Sequence, residues 1–287
     1  MKPAQFAYHS PDQLDEVLDL LGDDEREVRV LAGGQSLVPM MNFRLAAPEV
    51  LVDLRRVQGL RYVRREGDGS LTIGAGARQS ALLREPVIAE HWPLLAEGAR
   101  HIGHPQVRSR GTVCGSLAHH DPTAELPALA VALDARMVIG SASGKRGLAA
   151  EDFFLSYYTV ALAPGEMLLE VRFPPSPPGA GWSFKEVARR RGDFALVGVA
   201  ALVEGNGNGT VSNARLVLCG VGERPFRALA AEEAVAAGAS FEEAGRLVSE
   251  AVQPMGSVHA SAEYRSEAAG VLAARALAEA WERGGRG

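Results

Sequence analysis

Along this chain, apolar residues recur at spacings of three and four in some stretches and at every second position in others, and the two periods mark helices and strands. Leu14, Val17, Leu18 and Leu21 share one helical face. Ser10, Pro11 and Gln13 ahead of them read as N-cap, first-turn proline and capping-box partner, and Gly22 reads as the stop. Val28, Val30 and Leu31 then predict a short buried strand running into Ala32, Gly33 and Gly34, a turn that only residues with little or no side chain make tightly. Further strands are predicted at 50–54, 62–64 and 71–75, followed by helical text over 79–101.

After a glycine-rich stretch at 111–116, read as loop, an apolar helix is predicted over 124–133, begun near Pro122. Strands at 136–139 and 168–173 flank a glycine and serine turn. Pro174, Pro175, Pro177, Pro178 and Gly179 form a linker that neither a helix nor an interior strand tolerates, so a domain boundary is placed there. Beyond it, strands at 184–187, 195–203 and 211–218 precede helices. Ser240 with Glu243 reads as a capping box, and Ala269, Leu272, Ala273, Ala276, Leu277 and Ala280 stripe the last helix. The pattern is α+β, without internal repeats, and it ends in a small α+β domain.

Composition narrows the function classes. The 287 residues are 47% apolar and 23% charged, ordinary for a globular protein with a sizeable core, and suit two or three packed units. A net charge of −5 offers no electrostatic footprint for nucleic acid. No run of about 18 apolar residues is present to span a membrane, and no secretory leader is readable. These features predict a cytoplasmic protein, membrane association through a complex being left open. The two cysteines, Cys114 and Cys219, exclude a disulfide scaffold and any four-cysteine metal site.

Several motifs carry bland readings. Residues 74–79 (GAGARQ) lack the third glycine of a dinucleotide fingerprint. Residues 140–146 (GSASGKR) are one residue short of a phosphate loop and carry Arg146 where a magnesium-binding hydroxyl belongs. Both read as turns beside strands. His101, His104, His119, His120 and Asp121 cluster in sequence, but without a helical His-x-x-x-His pair, and read as polar residues near a pocket; no metal ligand set is assigned. Arg189, Arg190 and Arg191, placed on strand text, read as a solvated face.

The two glycine-rich segments, AGGQS at 32–36 and RGTVCGSLAHHDPTAELP at 110–127, are more specific as a pair. Each combines small residues with hydroxyls (Ser36, Thr112, Ser116) able to donate to phosphate oxygens. Read from spacing alone, they are two arms on one pyrophosphate or two unrelated tight turns.

At these residues the chain resembles the FAD-binding medium subunits of molybdenum hydroxylases, the family that includes carbon monoxide dehydrogenase, quinoline and nicotine dehydrogenases and the flavin domain of xanthine dehydrogenase. The resemblance runs from AGGQSLVPMMNFRLAAPEVLVDL through QVRSRGTVCGSLAHHDPTAELPAL and GEMLLEVRFP to FKEVARRRGDFAL and YRSEAAGVLAARAL, nearly the whole chain and in order. It implies a flavin-binding fold of the para-cresol methylhydroxylase type, with α+β subdomains at 1–57 and 58–176, followed by a small α+β domain at 177–287. Ala32, Gly33, Gly34, Gln35, Ser36 and Leu37 would wrap the pyrophosphate from one side and Thr112, Val113, Cys114, Gly115 and Ser116 from the other. Glu125 stands where relatives place an acidic cofactor contact, Leu168 where a leucine backbone meets the adenine end, and Lys185 where a flavin-binding lysine sits. His119 and Asp121 are further polar contacts, and Ile102 lies where xanthine-oxidising relatives carry an aromatic near the flavin ring. Cys114 departs from the glycine often found in the second loop, and Glu125 from an aspartate.

The resemblance also implies partners: a small subunit with two [2Fe-2S] clusters and a large molybdopterin subunit, in a dimer of heterotrimers. With two cysteines, this chain itself holds no four-cysteine cluster. On this reading it passes electrons from the clusters to a quinone or other acceptor, and none of its residues is a catalytic acid or base. The substrate, of carbon monoxide, aldehyde or N-heterocycle type, is chosen in the large subunit. The alternative from another class is a self-sufficient flavin oxidoreductase whose substrate pocket would draw on His101, His104 and His119.

Overall fold

The computed structural model describes residues 2–284. At the N-terminus, β1 (Ala7–His9), α1 (Leu14–Leu21), β2 (Val28–Leu31), α2 (Leu37–Asn42) and β3 (Val50–Asp53) build a three-stranded parallel sheet in the order β1-β3-β2. The central strand β3, VLVD, is buried throughout, as a parallel strand between two neighbours should be. Helix α1 keeps Gly22 as its C-cap but starts later than its sequence predicts. Gln13 is the N-cap and makes no side-chain capping bond. The expected first turn is diverted because the Asp12 carbonyl accepts from the Gln58 amide at 3.0 Å, tying this segment to the chain beyond β3. There a single 3-10 turn, Leu54–Arg56, is capped by Asp53, whose Oδ1 accepts from the Arg55 amide at 2.8 Å.

The second unit opens with β4 (Val63–Arg65) and β5 (Leu71–Gly74). The predicted helical text at 79–101 is three helices, α3 (Ala81–Arg84), α4 (Pro86–His91) and α5 (Pro93–Ala99). Pro86 and Pro93 each sit at a helix start, where the missing N–H costs nothing, and each interrupts what precedes it. Then come α6 (Pro105–Arg110), α7 (Val113–His119) and α8 (Glu125–Ala132), the last buried on every side. Next are β6 (Arg136–Ser141), β7 (Gly144–Ala149), α9 (Ala150–Phe153), the small hairpin β8 (Phe154–Ser156) and β9 (Thr159–Val160), and finally β10 (Met167–Phe173). The antiparallel sheet runs β4-β5-β10-β6-β7. The GSASGKR segment is the β6–β7 hairpin, so its glycines serve a turn.

After the proline segment, β11 (Gly181–Ala188), β12 (Ala195–Gly205), β13 (Val211–Cys219) and β14 (Phe226–Arg227) form an antiparallel sheet in sequence order, covered by α10 (Leu229–Ala236), α11 (Phe241–Ala251) and α12 (Ala262–Arg283). Arg189, Arg190 and Arg191 are exposed in the turn after β11 and not on the strand itself. Ser240 caps α11 through its hydroxyl, which accepts from the Glu243 amide, while the Glu243 carboxylate pairs with Arg246. Helices α11 and α12 cross at Gly245 and Gly270: a Cβ on either would lie 2.5 or 2.6 Å from the other's carbonyl oxygen.

Alternation along β12 divides two cores. Val197, Val199, Ala201 and Val203 face the three helices. Ala195 and Ala200, with Phe184, Val217 and Cys219, join the large core that fills both preceding units. Polar ties cross the same junction: the Gly220 amide donates to the Pro122 carbonyl at 2.9 Å, and Arg283 pairs with Glu97 at 2.6 Å.

Candidate cofactor site

Strand β2 ends in Leu31, and the chain then turns through Ala32–Ser36 into α2, with Gly34 at φ +73°, a conformation that costs an L side chain but not glycine. Among the described residues, the backbone amides of Gly33, Gly34, Gln35 and Ser36 find no acceptor. Ser36 is the N-cap of α2, yet its hydroxyl makes no capping bond. Unbonded consecutive amides form a concavity suited to an anion.

The second glycine segment behaves differently. Instead of the expected loop, it begins α7: Thr112 is the N-cap, and its Oγ1 accepts from the Gly115 amide at 3.1 Å. The Val113 amide donates to the Ala77 carbonyl at 3.1 Å, and the Ser116 amide to the Thr112 carbonyl at 3.2 Å. Most of its amides are therefore already bonded within the protein. Cys114 lies in this helix, outside the positive-φ region, so it stands there without backbone strain. Its thiol is buried, points to the Ile73 carbonyl and is pushed up in pKa by burial, which keeps it protonated.

The fold brings the two segments into contact. A Cβ on Gly33 would lie 2.6 Å from the Arg110 carbonyl oxygen, 2.7 Å from the Gly111 Cα and 3.0 Å from the Thr112 nitrogen, so only glycine allows this approach. Across the same seam, a Cβ on Gly115 would sit 3.5 Å from Ala32 Cβ. The strap after β5 holds the second segment from behind: the Gln79 amide donates to the Gly111 carbonyl at 2.9 Å, and Arg78 pairs with Thr112 in an isolated antiparallel bridge. Behind it, the Gln79 side-chain oxygen is buried without a partner. Two unrelated tight turns would not meet in this way. The arrangement is one cradle with an open side of free amides and a closed side of bonded ones, and it fits a dinucleotide's diphosphate.

A second group gathers where the third unit packs on α5 and α8. Ile102 is buried, and Arg108 donates to its carbonyl at 2.6 Å and to that of Gly103 at 2.9 Å. Glu125, the first residue of α8, is buried, and its carboxyl is pushed up to about 8, first by burial and then by the facing charge of Glu186. Glu186 Oε1 lies 3.7 Å from His101 Nδ1, whereas Glu186 Oε2 is buried without a partner. Asp121 accepts from the Thr123 amide at 2.9 Å and from the Thr123 hydroxyl at 2.6 Å. The His119 ring lies 5.3 Å from that of Tyr158, and burial lowers its pKa.

Leu168 is buried in β10 opposite Ile139, beside a bulge. Lys185 stands apart, on the α12 face of β11 and paired with Glu279, while its neighbours Phe184 and Glu186 face α5 and α8. Glu186, Arg78 and Arg110 were not singled out by the sequence. The period of two through β11 is the one signal that would have separated Glu186 from Lys185. Among the described residues, no group of three His, Cys, Asp or Glu side chains is placed to hold a metal, and no helix is long and apolar enough to cross a membrane.

The family profile described as FAD binding domain in molybdopterin dehydrogenase matches residues 4–176, and that described as CO dehydrogenase flavoprotein C-terminal domain matches residues 182–280. The 6-hydroxypseudooxynicotine dehydrogenase complex subunit alpha of Paenarthrobacter nicotinovorans is 38% identical over 99% of this chain and 97% of its own. Carbon monoxide dehydrogenase of Hydrogenophaga pseudoflava superposes with a TM-score of 0.95 at 38% identity, over 99% of this chain and 100% of that one. Quinoline 2-oxidoreductase of Pseudomonas putida 86 gives 0.93 at 37% identity, over 98% and 99%.

Proposed function

The chain belongs to the family of FAD-binding subunits of molybdopterin dehydrogenases, and on that premise we propose that it serves a heterotrimer as its electron-transfer flavoprotein. It is an oxidoreductase subunit with FAD as its cofactor, the medium FAD subunit of a molybdenum hydroxylase complex. In the proposed complex, substrate is oxidised at molybdenum in a large subunit, a small subunit carries [2Fe-2S] clusters, and this chain passes the electrons to a quinone or another acceptor. Two heterotrimers pair, and the complex works in the cytoplasm.

Bound FAD supplies exchange between electron pairs and single electrons. What this chain contributes is position. The amides of Gly33 to Ser36, with the Ser36 hydroxyl, hold the diphosphate, and Ala32 and Leu37 set the entry and exit of that turn. Thr112, Val113, Cys114, Gly115 and Ser116 form the opposing wall, fixed by the Thr112 cap. Ile102, His119, Asp121 and Glu125 line the path toward the third unit, and Leu168 meets the adenine end. A contact through Lys185 requires its pair with Glu279 to open. We place the two flavin subdomains at 1–57 and 58–176 and the third domain at 177–287.

The single observation that carries this reading is the run of four unbonded amides pressed against the backbone of Arg110–Thr112. The test is to purify the chain with whatever accompanies it at native expression, then record the visible spectrum and metal content. Flavin, iron and molybdenum near about 1:4:1 are expected, two [2Fe-2S] clusters giving the four irons. Flavin alone, with substrate turnover by the single chain, would overturn the partner assignment in favour of a self-sufficient enzyme.

A further inference from the structure

Beside the cradle stand arginines that make no ion pair with a carboxylate of their own chain among the described residues. Arg78 is half-buried in the strap behind the second segment, aligned by its bridge to Thr112. Its guanidinium donates to the Arg110 carbonyl, the same oxygen on which Gly33 closes. A guanidinium has five N–H donors, and among the described residues this is the one hydrogen bond Arg78 donates from its side chain. Arg55, nearby, is matched by Asp53 at 2.8 Å. Arg61, Arg78 and Arg110 have no carboxylate within 4.0 Å among the described residues, although the chain has 35 acidic residues against 30 basic ones. Burial first, and then the charges of Arg61 and Arg110, lower the pKa of Arg78. Like charges crowded beside a seam of free amides favour a bound anion.

We propose that Arg78 and Arg110 form a guanidinium clamp on the diphosphate of the dinucleotide, making the subunit select FAD over flavins that lack a diphosphate. The proposal rests on the FAD reading above and assigns to side chains what the glycine segments otherwise do with backbone alone. Guanidinium forks match phosphate oxygens two at a time and hold charge at any working pH.

A structural tie and an electrostatic clamp predict different losses. If Arg78 only links two segments, its removal weakens every flavin alike. If it neutralises phosphate, the loss falls on FAD and ADP and spares riboflavin. The full chain, stripped of flavin, is titrated by fluorescence with FAD and riboflavin and by competition with ADP, at low and at near-physiological ionic strength. R110Q leaves the Arg110 carbonyl in place, so it tests charge without cutting the tie.

R110Q and R78Q are each expected to weaken FAD and ADP roughly tenfold, to flatten the salt dependence and to leave riboflavin unchanged. R78K should recover part of the loss. Equal losses for riboflavin and FAD, or a wild-type FAD affinity and salt dependence in R110Q and R78K, would overturn the clamp. A wild-type chain that binds neither FAD nor ADP would overturn the cofactor reading itself, and the clamp with it.

Discussion

The two glycine segments look alike in sequence and do opposite things in the structure. AGGQS leaves its amides unbonded and its capping hydroxyl idle, whereas GTVCGS begins a helix whose first amides are taken by Thr112, Ala77 and its own turn. One segment is an open turn of free amides and the other is the wall it leans on. Glycine content therefore marks where backbone approaches something closely, and the partner of that approach has to be learned from the fold.

The largest effect should come from Gly33, where the two segments touch. Gly33→Val puts a branched side chain into the backbone of Arg110–Thr112, and overpacking of this kind costs at least about 1–3 kcal/mol. We expect a lower melting temperature together with loss of flavin absorbance, and a variant that keeps both would break the account of the seam.

Next comes the helix that follows the closed segment. Glu125 has a folded pKa near 8 against an ordinary value of 4.5, so the folded state holds the proton more tightly than the unfolded chain. Stability should then fall as pH rises from about 4.5 to about 8 and level off above. Glu125→Gln should flatten that slope in thermal melts across the range. A slope unchanged by the substitution would assign it elsewhere.

Smaller effects sharpen the contrast between open and closed. Thr112→Val removes the α7 cap and should cost about 1 kcal/mol in denaturant melts. Ser36→Ala removes a hydroxyl that caps nothing, so stability should hold while the affinity for FAD drops. If Ser36→Ala destabilised the chain as much as Thr112→Val, the open and closed description would be wrong.

What the sequence disclosed follows from where the decisive contacts lie. The strands β3, β10, β12 and β13 and the helices α8, α11 and α12 were legible because apolar runs or an apolar period report burial directly, whereas β2, expected to be buried, is only partly so, with Arg29 exposed. β7 was missed, since GKRGLA is an edge strand with an almost wholly exposed face and carries no period. α7 was read as loop because glycine, threonine and serine weigh against a helix, and a single hydroxyl cap with tertiary contacts outweighs them. The glycine arms were found from spacing and family resemblance. Arg78, Arg110 and Glu186 were not, because their significance arises only when segments distant in sequence come together. The alternation through β11 puts Lys185 and Glu186 on opposite faces, but their partners, Glu279 and His101, come from elements that spacing alone does not bring to them.

The core that unites the first two units also counts Phe184, Ala195, Ala200, Val217 and Cys219 among its members, all contributed from beyond the proline segment. The chain can be cut there on paper, but the solid has no matching cleavage plane. The third unit is thus no interchangeable cassette: a chimaera that grafts one relative's third unit onto another's flavin half inherits mismatched halves of a single interior. Exchange among such proteins should succeed with the whole chain as the unit of inheritance.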